Sequence, residues 1–155
     1  MYSCAAVEGT AALVSRIALA LYVVFYGAWE AMYGIGLGIL ADAVNGLPPA
    51  ERATGAEVIQ DYGENIFLRG FGVLVSIGSV AFIIAMIAAG IALRRHAGAP
   101  LAVAVLLGLS GFLITAHPPP FGPTGLALFI AAVLLFARSQ SRTRAPVVVA
   151  EPRPE

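Results

Sequence analysis

The chain has 155 residues, of which 59% are hydrophobic and only 12% are charged, and nine arginines balance nine acidic residues. This composition excludes an ordinary water-soluble domain and predicts a chain that belongs in lipid. No basic run is longer than Arg94-Arg95, so nucleic acid is excluded as a partner class. The single cysteine, Cys4, has no disulfide partner and no neighbouring metal ligand, and we interpret it as an inert tail residue.

Four apolar segments follow one another along the chain, at residues 17–40, 71–93, 101–116 and 125–137. A helix rising 1.5 Å per residue needs about 20 residues to cross a hydrocarbon core of about 30 Å, and the first two segments have enough. The last two reach that length only by including the flanks 98–100 and 121–123, which implies little tilt or a thinned bilayer. No segment alternates apolar with polar residues as a barrel strand does, so we expect an all-α membrane four-helix bundle.

The first segment is too long for a cleaved signal peptide, and the small-x-small site Ala41-Asp42-Ala43 follows it late. We therefore expect a retained first span. The glycines at 34, 36 and 38 and the alanines at 81, 85 and 89 have the spacing that lets helices approach closely. Packing within one bundle and dimerisation both explain this spacing.

Glu30 interrupts the first apolar segment, in the run GAWEAMYGIGLG. Counted from Arg16 at the inner boundary, it lies about 21 Å along the helix, in the outer third of a bilayer. A carboxylate inside the membrane costs roughly 2–3 kcal/mol even on lenient insertion scales. Three interpretations follow: Glu30 pairs with Arg69 at the outer end of the second segment, it is a protonatable transport or binding residue, or the membrane ends beside it. The aromatic rings that favour the last interpretation are Tyr26, Trp29 and Tyr33.

The connection at 41–65 is the one connection long enough to have structure of its own. The run NGLPP at 45–49 ends the preceding helix, because glycine and paired prolines interrupt helical hydrogen bonding. Thr54 and Glu57 have capping-box spacing, which predicts a short outer amphipathic helix from about Gly55 to Tyr62. Its expected buried face consists of Val58, Ile59 and Tyr62. A flexible polar loop is the alternative.

His117 lies between the third and fourth apolar segments, at the start of the run HPPPFGP. Proline both stops one helix and starts the next, so this run predicts a stiff hairpin. An amphipathic ring is favourable at the membrane boundary, which gives His117 a structural interpretation beside a ligand or proton role. Without HxxxH or HxxE spacing, one histidine gives little support for a metal site.

The distribution of arginine predicts the orientation. Seven of the nine fall on the N-terminus, the second connection and the C-terminal tail. An excess of arginine marks the cytoplasmic side, so both termini are expected on the cytoplasmic side of a bacterial inner membrane. The connections 41–65 and 117–123 are then outside. We expect residues 1–138 to form the four-span domain and residues 139–155 to form a disordered cytoplasmic tail.

The run LYVVFYGAWEAMYGIGLGILADAVNGLPP, followed later by HPPPFGPTGLALF, resembles small four-span membrane proteins of high-GC bacteria whose function is unknown. In span count and size the chain is also similar to DoxX-like membrane proteins. The resemblance implies a small multi-pass architecture, and it carries no functional residue onto this sequence.

Two functions from different classes follow from these features. The first is a non-enzymatic accessory or scaffolding membrane protein, whose partners are the lipid bilayer and either a second copy of the chain or another membrane protein. The second is a small transporter or ligand-binding protein with an outer polar pocket. The ligand or proton candidates for that pocket are Glu30, Arg69, His117, Asp61 and Glu64. Phosphate loops, nucleophile elbows and metal motifs are absent from the sequence, so we expect neither an enzyme nor a cofactor.

Overall fold

The computed structural model describes residues 9–65, 72–117 and 119–143, and within these ranges the regular structure is entirely helical. The predicted all-α class is therefore confirmed. The helices in chain order are α1 (Thr10–Glu30), a π-helical turn (Ala31–Ile35), α2 (Gly36–Asn45), α3 (Pro49–Asn65), α4 (Gly72–Ala97), α5 (Leu101–Thr115) and α6 (Phe121–Thr143).

Within the described ranges, three helices are long and apolar enough to cross a membrane: Thr10–Asn45, Gly72–Ala97 and Phe121–Ser141. The shorter apolar helix α5 has 15 residues and a length of about 22 Å. It does not extend into residues 98–100, contrary to the expectation for the third segment. Gly98 has φ 63°, which ends α4, and Pro100 is in an extended conformation before α5 begins. The fourth segment does incorporate its flank, since α6 begins at Phe121.

The apolar helices pack in sequence, α1 against α4, α4 against the shorter α5, and α5 against α6. Small residues make these contacts close. Ala85 is buried against α1, where the Ser15 hydroxyl donates a hydrogen bond to its carbonyl over 3.0 Å. A Cβ atom on Gly90 would lie 2.8 Å from the Cα atom of Ala104, so α4 and α5 touch through their backbones. Packing within the chain therefore accounts for these small residues of α4, whereas Gly38 on α2 has open space beside it.

The first helix is continuous from Thr10 to Asn45, because α1, the π-helical turn and α2 follow one another without a break. Its 36 residues correspond to about 54 Å, which is well beyond the thickness of a hydrocarbon core. It ends at Asn45, where the run NGLPP predicts an end. The sequence did not predict the π-helical turn.

Helix α3 confirms a helix in the long connection, but it runs from Pro49 to Asn65 and is twice as long as expected. It returns alongside α2, with Gly55 against Val44 and Gly63 against Leu37. The predicted buried face is wrong for Val58 and Tyr62, whose exposed fractions are 59% and 37%, whereas Ile59 is partly buried. The face in contact with α2 is the one that carries the two glycines, and a Cβ atom on Gly55 would lie 2.9 Å from the Val44 side chain.

At the C-terminal end, α6 continues through residues 139–143, where the sequence predicts disorder. The rest of the predicted tail, residues 144–155, lies outside the described residues.

Candidate functional site

Three polar side chains meet where α1 ends, and we call Tyr26, Glu30 and His117 the polar cluster. Tyr26 and Glu30 are four residues apart on α1 and so share a face of the helix. His117 comes from the connection between α5 and α6. Its Nε2 atom lies 3.8 Å from Glu30 Oε1, and the Tyr26 hydroxyl forms a hydrogen bond with the same nitrogen.

The backbone of the α5–α6 connection holds His117 in place. His117 has φ 54°, a left-handed conformation in which histidine is among the more tolerant non-glycine residues. Its Nδ1 atom lies 3.3 Å from the carbonyl oxygen of Thr115. With Nδ1–H donating to that carbonyl, Nε2 of the neutral ring is the acceptor for the Tyr26 hydroxyl. A Cβ atom on Gly122 would lie 2.5 Å from the His117 carbonyl oxygen, so this connection requires glycine there.

Aromatic rings support the α1 side of the cluster. Tyr26 and Trp29 are each 6% exposed and pack as a pair, with ring centroids 5.5 Å apart. Trp29 stacks in turn on Tyr33, with centroids 5.0 Å apart and an interplanar angle of 8°. Helix α4 comes very close here, because a Cβ atom on Gly78 would lie 2.9 Å from the Cβ atom of Tyr26. The position of the Tyr26 hydroxyl therefore depends on the α1–α4 contact.

The structure brings together two of the five predicted ligand or proton candidates, Glu30 and His117. Arg69, the partner expected for Glu30, lies outside the described residues. Asp61 and Glu64 lie on exposed positions of α3 and make contacts within that helix. Among the described residues, no group of three or more histidine, cysteine, aspartate or glutamate side chains is arranged to hold a metal ion.

The Glu30–His117 contact is half-exposed, with 48% of the Glu30 side chain and 51% of the His117 side chain accessible. It is an ion pair only when the imidazole is protonated. Exposed ion pairs contribute about 0.2–1 kcal/mol, so this contact orients the two groups more than it stabilises the fold.

The end of α3 indicates the level at which the hydrocarbon stops. The Tyr62 hydroxyl lies beside Gly36 and Gly63 lies beside Leu37, so the last turn of α3 is level with the first turn of α2. That turn of α3 carries the exposed charges of Asp61 and Glu64, which are unfavourable in lipid. Gly36 is only six residues, or about 9 Å, beyond Glu30. Of the three interpretations of Glu30, this geometry favours a membrane boundary close to Glu30.

Beyond this level, α2 and α3 form an antiparallel pair that we call the α2–α3 hairpin, residues 36–65. Several of its apolar side chains are exposed: Ile39 at 65%, Val58 at 59% and Tyr62 at 37%. The sequence analysis missed this feature. A signal was present, because the apolar run continues past Glu30 to Leu40 and makes the first segment longer than a span requires.

Three grooves lie between the described helices, and their walls bear on whether the polar cluster opens into a cavity. An apolar groove of about 540 Å³ lies between α1 and α4, and its walls include Ile17, Leu21 and Val80. A second of about 210 Å³ lies between α4, α5 and α6 and is also apolar. A third of about 360 Å³ lies at the tip of the hairpin, between Leu47 and Val58. None of these three is lined by a residue of the polar cluster.

Comparison of the chain with protein-family models, with curated proteins and with solved structures finds no match.

Proposed function

We propose that this chain is a four-span protein of a bacterial inner membrane, with both termini in the cytoplasm, and that its role is accessory and non-enzymatic. In this proposal the membrane-length helices anchor the chain, and the α2–α3 hairpin stands outside the membrane as a docking element for another protein. The small multi-pass architecture agrees with the resemblance to four-span membrane proteins of high-GC bacteria.

The observation that carries the proposal is the exposure of Ile39 and Val58 on a hairpin that also carries many charges. Apolar side chains facing lipid need no explanation, but α3 has the composition of a helix in water. Branched aliphatic side chains that are about 60% exposed to water lose the benefit of burial. Val58 shares one face of α3 with Tyr62 and lines a groove with Leu47, and contiguous exposed apolar surface of this kind marks sites that bind other proteins.

Two features support a hairpin that projects from the membrane. Helix α2 continues α1 without a break, so it leaves the bilayer along the direction of the span and does not turn onto the surface. The polar cluster lies at its base and joins α1 to the α5–α6 connection through Tyr26 and His117. The cluster then has a positioning role, because it fixes the helix from which the hairpin extends.

A transporter would need a polar path that leads inward from Glu30 and His117. The two apolar grooves between the spans offer no such path, since their walls are apolar apart from Ser76 and neither includes Glu30 or His117. The close backbone contacts at Gly78 and Gly90 also favour a rigidly packed anchor. These observations support the docking role over the transport role.

Site-specific photo-crosslinking in cells that produce the full chain tests the proposal. A photoreactive amino acid is placed at Ile39 or Val58 on the hairpin, or at Val80 or Phe112 as span controls whose exposed fractions are 57% and 55%. We expect a discrete protein adduct from the hairpin positions and lipid adducts from the controls. Hairpin positions that yield only lipid adducts, or no adduct, would contradict the docking role.

A further inference from the structure

We propose that the partner of the α2–α3 hairpin is a basic amphipathic helix of another protein. The inference rests on the proposed docking function and adds the chemistry of the partner. It is argued from the apolar face, the charge of the hairpin and the shape of its tip.

The apolar face has the spacing that a helical partner matches. Val58 and Tyr62 are four residues apart on α3 and therefore lie one above the other on the same face. The groove at the tip extends this face, since Val58 forms one of its walls and Leu47 another. Helices commonly dock into such grooves through anchors spaced at three, four and seven residues.

Negative charge lies beside this face. Glu57, Asp61 and Glu64 are spaced at i, i+4 and i+7, so they form one stripe along α3, and Glu57 and Asp61 directly precede the two apolar residues. Like charges at this spacing repel one another, which a cationic partner would relieve.

The hairpin as a whole is acidic although the chain has no net charge. It carries five of the nine acidic residues and one of the nine arginines. That arginine, Arg52, donates a hydrogen bond from its Nε atom to the carbonyl oxygen of Leu47 over 2.9 Å, at the end of α2. This positive charge therefore lies at the tip, where Glu51 also lines the groove, and away from Asp61 and Glu64.

The charge decides between three possible occupants of the face. A second copy of the hairpin would bring two acidic surfaces together, which is unfavourable without intervening cations. Anionic lipid headgroups would repel the stripe in the same way. A helix with lysine or arginine beside its apolar residues can bury the apolar face and pair its cations with the acidic stripe. The opposite charges also raise the rate of association.

The test uses a displayed library of random 18-residue helical peptides. Peptides are selected for binding to the full chain in zwitterionic lipid nanodiscs, and peptides that bind empty nanodiscs are removed. Two variants are compared: a neutral stripe carrying Glu57→Gln, Asp61→Asn and Glu64→Gln, and the apolar change Val58→Ser. The matched control is Asp42→Asn, which removes one charge from α2. The carboxylate-to-amide changes keep side-chain size, and circular dichroism verifies that the hairpin stays helical in every variant.

We expect the selected peptides to be basic and amphipathic. Their affinity should fall about tenfold or more in the neutral-stripe variant and in Val58→Ser, and remain unchanged in Asp42→Asn. The inference would be overturned if the selected peptides are neutral or acidic, or if none is enriched over empty nanodiscs. Equal affinity for the wild-type and neutral-stripe proteins would also overturn it. Dimers in mass photometry that Val58→Ser dissociates would assign the face to a second copy and overturn it as well. If the crosslinking experiment still gives a protein adduct at Ile39, the docking function survives and only the chemistry assigned to the partner fails.

Discussion

Replacing Gly78 by alanine should separate α1 from α4 at the polar cluster. The new Cβ atom would lie 2.9 Å from the Cβ atom and 3.0 Å from the backbone nitrogen of Tyr26. Backbone atoms cannot move aside as the end of a flexible side chain can, so the helices must shift. Overpacking of this kind costs about 1–3 kcal/mol, and the better helix propensity of alanine offsets about 1 kcal/mol of it.

The matched control is Gly27→Ala on α1, because a Cβ atom there would have nothing within 4 Å. It keeps the propensity gain of about 1 kcal/mol without the clash. The free energies of unfolding of the two variants should therefore differ by about 1–3 kcal/mol. For a chain of this size, each 1 kcal/mol changes Tm by about 2–4 °C.

Thermal unfolding in nanodiscs, followed by circular dichroism, measures this difference. Tyr26→Phe provides a second readout, since it should cost less in the Gly78→Ala background, where the Tyr26–His117 hydrogen bond is already strained. Equal Tm values for Gly78→Ala and Gly27→Ala would refute the close α1–α4 contact. An undiminished effect of Tyr26→Phe would refute the dependence of the hydrogen bond on that contact.

Three further outcomes are expected. In a cysteine-free background, an impermeant thiol reagent added to intact cells should label cysteine at Glu57 and not at Ser141, and the reverse pattern would refute the proposed orientation. Glu30→Gln and His117→Asn should show a coupling of about 0.2–1 kcal/mol in a double-mutant cycle of unfolding free energies, whereas additive losses would show that the two side chains do not interact. Gly122→Ala should lower stability by about 1–3 kcal/mol because its Cβ atom meets the His117 carbonyl oxygen, and a wild-type Tm would show that the α5–α6 connection is less tight.

The sequence predicted much of the helical content because apolar length and helix-breaking residues are local signals. The segments at 71–93, 101–116 and 125–137 correspond to α4, α5 and α6, and the NGLPP run marks the end of α2. Glu30 was singled out as a residue that needs a partner, since a carboxylate in an apolar run is unfavourable whatever the fold.

The partner of Glu30 could not be predicted in the same way. His117 is 87 residues away, and its contact depends on how α1, α4 and α5 pack and on the left-handed backbone at His117 itself. The sequence analysis paired Glu30 with Arg69 because both lie toward the outer ends of neighbouring spans. Arg69 lies outside the described residues. The length of α3 was underestimated because the capping-box pattern at Thr54 marks a local preference, whereas packing against α2 extends the helix back to Pro49.

The π-helical turn at Ala31–Ile35 sets the rotational phase of the hairpin relative to the spans. Such a turn accommodates one residue more than an α-helix of the same rise, and each residue of an α-helix rotates the chain by about 100°. If the same residues were wound as a regular α-helix, the hairpin would rise about 1.5 Å further and its acidic stripe would swing about a quarter of a revolution around the helix axis. The direction in which the chain presents this surface to its surroundings is thus set by the winding of one turn of backbone, independently of every side chain on the surface itself.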